Sequence, residues 1–347
     1  MPNSHIEDNS ALTRREFAGA SLTTIAAAAI VAPTDAAVIA APTDVAAAQT
    51  TTRSKAGGGG FWPNDARLAV SISLMFEGGG QPISGAGGPI TEPIKPGFPD
   101  HPTNAFFAYG PNEGIPRALN LFDKHGIKVT AFMISKAIEK HPELAREIVN
   151  RGHEAAAHGR TWSASYDLPR EEEKAFIQDS VEAIQRITGQ RAVGWNAYWL
   201  RNSIHISETL QDLGFLYSID EPDRDEPFIL RVRGRDFVML PYTIHMNDML
   251  FPFQSYDPAA HEQALRDEFD QLYEEGSGRR RMMVLSMHDR LSGHANRIRV
   301  LDRFLTYAKS REGVWFARKD EIAQWALKQR DKTPVVTRGT PAETGLP

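Results

Sequence analysis

Four side chains able to move protons stand at matching places along this 347-residue chain. Glu77 follows Phe76, His158 follows Ala157, Asp220 follows Ile219 and His288 follows Met287, each at the end of a short β-like run. Together they offer a base for water, a donor for a departing atom and charge to stabilise an oxyanion. Trp162 and Trp195 either wall a pocket beside them or pack under a rim, while Tyr242 and Asn247 are candidate substrate contacts. Arg290 either forks onto substrate oxygens or sits in a surface ion pair.

Other chemistries fail on residue type or spacing. The chain has no cysteine, which excludes disulfides, thiolate zinc sites, iron–sulfur clusters and a cysteine nucleophile. His153 to His158 is one residue too long for a zinc-protease helix, and on a strand those two positions point to opposite faces. Gly78-Gly79-Gly80 lacks the lysine of a phosphate loop and reads as a flexible strand end. No serine sits in a G-x-S-x-G elbow. Lys plus Arg number 39 against 44 Asp plus Glu, a net charge of −5, so there is no electrostatic footprint for nucleic acid or an anionic membrane.

The elements that must position these groups alternate in type. Leu68, Val70, Ile72, Leu74 and Phe76 recur at period two, which predicts a strand. Further strands are expected near 127–134, 154–158, 192–195, 215–220, 237–240, 282–288 and 314–317. Helical patterns fall at 142–150, 169–188 and 258–275, along Ile298, Leu301, Leu305 and Ala308, and at 320–330. Strands separated by helices, without a break in composition, predict a single α/β domain over 61–330: a distorted (β/α) barrel of about seven strands. In such barrels the strands deliver active-site residues at their C-terminal ends, where the four groups stand.

The ends of the chain read differently. Arg14-Arg15 precedes an alanine-rich run and Ala46-Ala47-Ala48, so residues 1–48 are expected to be a twin-arginine export signal. Export by that machinery implies a periplasmic or secreted protein. Residues 49–60 read as a glycine-rich leader and 331–347 as a polar tail.

Several stretches resemble the polysaccharide deacetylase (NodB-homology) superfamily, and within it the allantoinase-like branch. They are Phe61–Arg67, Phe76–Gly80, Gly152–Gly159, Gly194-Trp195, Leu216-Tyr217, Leu240–Tyr242 with Asn247–Met249, His288–Gly293 and Gly313–Arg318, in order over nearly the whole predicted domain. The resemblance implies a distorted barrel that hydrolyses an amide with a metal-bound water. The family's metal normally sits on a first-motif aspartate and two histidines spaced H-x-x-x-H. Here the paired aspartates correspond to Glu77 and Gly78, and the second histidine position holds Trp162. Of the usual ligands only His158 remains, with Glu77 as the one carboxylate nearby, so zinc in the usual geometry is not expected. The allantoinase-like branch shows the same losses and is regarded as able to act without the metal.

The resemblance then implies Glu77 as general base and His288 as proton donor; beside them His158 is placed to polarise the carbonyl or to orient the water, and Asp220 to set a histidine's protonation where the two are close. Three functions stay open. One is hydrolysis of a non-peptide C–N bond in a small cyclic amide or ureide. The second is N-deacetylation of a periplasmic glycan or peptidoglycan. The third is an inert carbohydrate-binding relative. Relatives in this branch often form oligomers, so self-association is an expectation as well.

Overall fold

The computed structural model describes residues 60–81, 90, 92, 94–250 and 256–337. The twin-arginine segment and nearly all of the leader lie outside the described residues. Ten strands occur among those described: β1 (Leu68–Phe76), β2 (Thr130–Met133), β3 (Glu154–Ala157), β4 (Gly194–Trp195) and β5 (Tyr217–Glu221), then β6 (Phe228–Val232), β7 (Arg235–Pro241), β8 (Met282–His288), β9 (Val314–Phe316) and β10 (Val335–Thr337). The helices are α1 (His101–Tyr109), α2 (Ile115–His125), α3 (Ser135–Lys140), α4 (Pro142–Asn150) and α5 (Arg170–Thr188), then α6 (Ile206–Asp212), α7 (Pro258–Glu275), α8 (Ala295–Lys309) and α9 (Lys319–Lys328).

The strands form one mostly parallel sheet in the order β10-β6-β7-β5-β4-β3-β2-β1-β8, with β9 also paired to β1. Only β6 and β7 run antiparallel. They turn through Arg233 and Gly234, both with positive φ, as a two-residue hairpin of primed type requires. Between β7 and β8 there is no ladder, but a parallel bridge joins Asn247 to Ser286 of β8. Counted through that bridge, β1, β2, β3, β4, β5, β7 and β8 make the expected seven-stranded barrel, incompletely zipped at one seam.

Strand parity divides the core in two. Leu68, Val70, Ile72, Leu74 and Phe76 of β1 join Ala155, Ala157, Trp195, Met283 and Leu285 against the surrounding helices. Ala69 and Met75 join Ala156, Ile219, Val238 and Val284 in the other cluster, with Trp62 and the α9 residues Ile322 and Ala323. The second cluster fills the barrel and its lower end. A residue's parity therefore decides whether it faces the lumen or the helices.

Two features differ from the sequence expectation. The fold does not stop at residue 330, because β10 pairs in parallel with β6 inside the predicted tail. Residues 101–125 form α1 and α2 through a π-helical turn, Gly110–Gly114. That turn brings Gly110 and Gly114 so close to Asp289 that a Cβ at Gly114 would lie against the Asp289 carbonyl oxygen.

Candidate active site

Glu77 continues the inward parity of Met75, His158 that of Ala156, and His288 that of Val284 and Ser286, so all three converge at the C-terminal mouth of the barrel. His288 Nε2 lies 3.6 Å and His158 Nε2 3.2 Å from the same Glu77 oxygen, Oε1. The other oxygen, Oε2, accepts from Arg290 Nη1 at 2.5 Å. All four side chains are buried. Burial favours the neutral acid at Glu77, but Arg290, His288 and His158 outweigh it and hold the carboxyl well below the usual carboxylate range.

Each imidazole is fixed from behind. His158 Nδ1 faces the Asn196 carbonyl at 2.8 Å, where only a donor fits, so that nitrogen carries a proton and Nε2 is the reactive one. His288 Nδ1 lies 2.6 Å from Asp248 Oδ1. Asp248 Oδ2 accepts from the His288 backbone N–H at 2.8 Å and from Ser292 Oγ at 2.6 Å. Burial opposes charge on His288, yet Glu77 and Asp248 prevail and raise its pKa above the ordinary imidazole value. Asp289 braces the end of β1: its Oδ2 accepts from the backbone N–H of Glu77 at 3.0 Å and of Gly78 at 2.8 Å. Burial pushes the Asp289 carboxyl up to about 6.

A cavity of about 190 Å³ reaches Glu77, His158 and His288 and is walled by Trp162, Trp199, Tyr242, Met249 and Leu250, among others. Its aromatic and aliphatic walls suit a flat or apolar ligand face, with the charged groups gathered at one end. Asn247 also lines it and donates from Nδ2 to the Tyr242 hydroxyl at 2.8 Å. Trp162, Tyr242 and Asn247 thus all line the cavity.

Three candidates are held elsewhere. Asp220 has the outward parity of Ser218 and meets neither histidine. Its Oδ1 accepts from Asn196 Nδ2 and the Ala197 N–H at 2.7 and 2.9 Å, and its Oδ2 from Ser218 Oγ and Asn202 Nδ2 at 2.9 and 3.1 Å. Burial raises its pKa. Trp195 also points outward, packing edge-on against Phe215 at 6.1 Å and taking no part in the cavity. Arg290 is neither at the surface nor among the cavity walls. It is fully buried on Glu77, with Phe107 4.4 Å from its guanidinium carbon.

The sequence reading did not single out Asp248, Asn196, Asp289 or Trp199. Asp248 lies in the Asn247–Met249 stretch beside a strand end, and that position was its only signal.

The positions that hold the metal in the resembling family are filled differently here. Among the described residues no group of three or more His, Asp or Glu side chains is disposed to hold an ion. The second aspartate position is Gly78, and a Cβ there would meet Pro111 Cδ at 2.5 Å and the Phe107 carbonyl oxygen at 2.6 Å. Glu77 Oε2 already faces a fixed positive charge. What the site offers is an ionised carboxylate between two imidazoles of fixed orientation, at the end of an aromatic cavity.

Known proteins are similar to this chain over most of its length. Residues 99–217 match the polysaccharide deacetylase family. A Schizosaccharomyces pombe protein provisionally named a polysaccharide deacetylase is 31% identical over 304 residues, 77% of this chain and 92% of its own. The peptidoglycan deacetylase of Helicobacter pylori is 26% identical over 253 residues, covering 63% and 85% of the two chains. Among solved structures, the "probable polysaccharide deacetylase" of Pseudomonas aeruginosa superposes with a TM-score of 0.71 at 31% identity, over 77% of this chain and 93% of that one. The Puue allantoinase gives 0.70 at 31% identity, over 77% and 92%.

Proposed function

The chain belongs to the polysaccharide deacetylase family, hydrolases of non-peptide carbon–nitrogen amide bonds, and from that premise we propose that it opens a small cyclic amide or ureide without a bound metal ion. The observation that carries the proposal is the replacement of the family's ligand positions by Gly78 and Trp162, around a Glu77 already paired with Arg290. The aromatic-walled cavity and the likeness to an enzyme named for allantoin, a cyclic ureide, support the substrate class.

In this reaction Glu77 takes a proton from water as the water oxygen attacks the ring carbonyl carbon. His158, its Nδ1 proton held by the Asn196 carbonyl, accepts a hydrogen bond from that water at Nε2 and orients it for attack. His288, kept cationic by Asp248, passes its proton to the ring nitrogen as the C–N bond breaks. The donation removes one of the positive charges that depress Glu77, so the carboxylate holds its new proton better as the reaction proceeds. The proton then returns from Glu77 Oε1 to His288 Nε2, 3.6 Å away, which restores the site. A site with all three groups joined in this way speaks against an inert relative.

A second reading, N-deacetylation of an envelope glycan, is favoured by the similarity to the Helicobacter pylori peptidoglycan deacetylase and by the twin-arginine segment. The same segment supports export to the periplasm for either reaction. Residues 49–347 treated with chelator, then offered cyclic imides and ureides beside N-acetylated glycan oligomers, separate the two readings. Ring opening that survives chelation and vanishes in Glu77→Gln is the expected result. Acetate release that needs a restored divalent ion overturns it.

A further inference from the structure

The backbone beside the cavity is held in a form it does not favour. Trp199 has φ 50° and ψ 31°, and Leu200 has φ 58°, two consecutive non-glycine residues in the left-handed region. Such residues persist only where their surroundings over-determine them. Here Asp220 does so from below. Its Oδ1 holds Asn196 and Ala197, and its Oδ2 holds Asn202, so one buried carboxylate ties down both ends of the Asn196–Asn202 loop. Asn196 also supplies the carbonyl that orients His158, so the loop and the catalytic imidazole share one anchor.

The strained conformation presents a large apolar ring to solvent. Trp199 lines the cavity while remaining 49% exposed. Its ring lies 5.9 Å from that of Trp162 at 46°, and Tyr198 meets Trp162 edge-on at 4.9 Å. Trp162 is 5% exposed and is packed in place, whereas Trp199 keeps much of its ring uncovered. A half-exposed indole at the mouth of a cavity, fixed by a costly backbone and a buried clamp, is a stacking platform awaiting a flat partner.

We propose that Trp199 is the specificity-determining residue of this site, stacking on the planar ring of a cyclic amide, and that Asp220 is the positioning residue that sets the platform. This rests on the cyclic-amide reading above and names the residue that would select such a ring. Planar imide and ureide rings offer a full π-face to the indole, while an acetamido group on a puckered sugar offers little. Trp199 acts on binding and takes no part in proton transfer.

The test measures KM and kcat for succinimide, hydantoin and an N-acetylglucosamine oligomer with the wild type, Trp199→Ala and Trp199→Phe. The expected result is a KM for the flat rings raised roughly three- to tenfold in Trp199→Ala, with kcat within about twofold and most of the loss recovered in Trp199→Phe. Calorimetric binding of succinimide to Glu77→Gln, with and without Trp199→Ala, gives the same comparison without turnover. Asp220→Ala is expected to raise KM for the rings and also to lower kcat, because it frees the Asn196 carbonyl as well as the platform. Ring opening by the wild type with ring KM unchanged in Trp199→Ala overturns the platform alone. No ring opening by the wild type overturns the cyclic-amide reading and the platform with it.

Discussion

The barrel buries a glutamate at each end, and the two are treated in opposite ways. At the C-terminal mouth, Glu77 is surrounded by positive groups and stays ionised despite its burial. At the other end, Glu154 opens β3 among neutral donors. Its Oε1 accepts from the Tyr217 hydroxyl at 2.9 Å, and its Oε2 from Thr130 Oγ1 at 2.6 Å and the Asp320 N–H at 3.1 Å. Burial, with the Asp320 charge added, raises its pKa to about 7. Even the neighbouring cation gives way: burial lowers Lys319 to about 7, and its Nζ bonds to Ser71 Oγ at 3.2 Å. Hydrogen bonds alone satisfy a buried carboxyl, whereas chemistry needs one whose charge is kept and whose oxygen reaches open space. Glu77 lines the cavity, and no cavity wall includes Glu154.

The sharpest way to break this contrast is to neutralise both. Glu77→Gln is expected to lower kcat by about a thousandfold or more, since it removes the base while keeping the shape. Glu154→Gln is expected to leave kcat within about threefold. Steady-state rates on the two purified variants check this, and a comparable loss in both would erase the distinction between a reacting and a structural carboxyl.

Asp248 tests the same contrast one bond further out. Asp248→Asn keeps acceptors for the His288 N–H and Ser292 but withdraws the charge that helps raise the His288 pKa. The expected result is a fall in kcat on the order of a hundredfold, with the basic limb of its pH profile moved to lower pH. The sign follows from the role: a proton donor with a lowered pKa is lost earlier as pH rises. A basic limb that stays in place would remove His288 from the proton path.

Arg290 is expected to act next in size. Its substitution by Met removes the largest positive influence on Glu77, so the carboxyl pKa rises and the acid limb of kcat/KM moves to higher pH. Breaking a fully buried pair from one side also costs about 3–5 kcal/mol of stability, so the profile is measured at low temperature. Arg290→Lys keeps a charge and is expected to recover part of both losses, incompletely because the guanidinium also lies over Phe107. An acid limb unmoved in both variants means that something other than Arg290 keeps Glu77 ionised.

Much of this was legible in the residue order, and the failures share one cause. Period two along Leu68 to Phe76 predicted β1, and the rule that separates His153 from His158 is obeyed: His153 faces the helices, edge-on to Phe122 at 5.7 Å. Carried through, that rule also separates Asp220 from Ile219 and Trp195 from Gly194, and it would have turned both away from the lumen. A short strand next to a register shift between Ser218 and Glu221 made such counting fragile for Asp220. Arg290 lies in a turn and Asp248 opens a single 3-10 turn, Asp248–Leu250, where no periodicity says which way a side chain turns. Their pairing with Glu77 and His288 depends on contacts 213 and 40 residues apart in the chain. β10 escaped notice because three residues in a polar stretch carry no pattern of their own. Its pairing is supplied by the exposed edge of β6.

The smallest expected effect lies at the lower end of the barrel and concerns stability alone. Glu154 has a folded pKa of about 7 against 4.5 for an ordinary glutamate. Between those values the folded chain binds more protons than the unfolded one, so this group's contribution to stability falls as pH rises from about 4.5 to about 7 and is level beyond either end. Glu154→Gln cannot titrate, and it is expected to flatten that decline in the melting temperature by a few degrees while the pH profile of kcat/KM keeps its shape. Its amide still accepts from one of the two hydroxyls, so the fold survives the change. Lys319 moves the other way. Its lowered pKa makes the folded chain bind fewer protons from about 7 to 10.5, and stability from that group rises over that range. Thermal melts from pH 4 to 10 on the wild type, Glu154→Gln and Lys319→Met resolve the two slopes. If the variants instead displace the pH limbs of catalysis, the two ends of the barrel are electrostatically coupled and the separation between mouth and base does not hold.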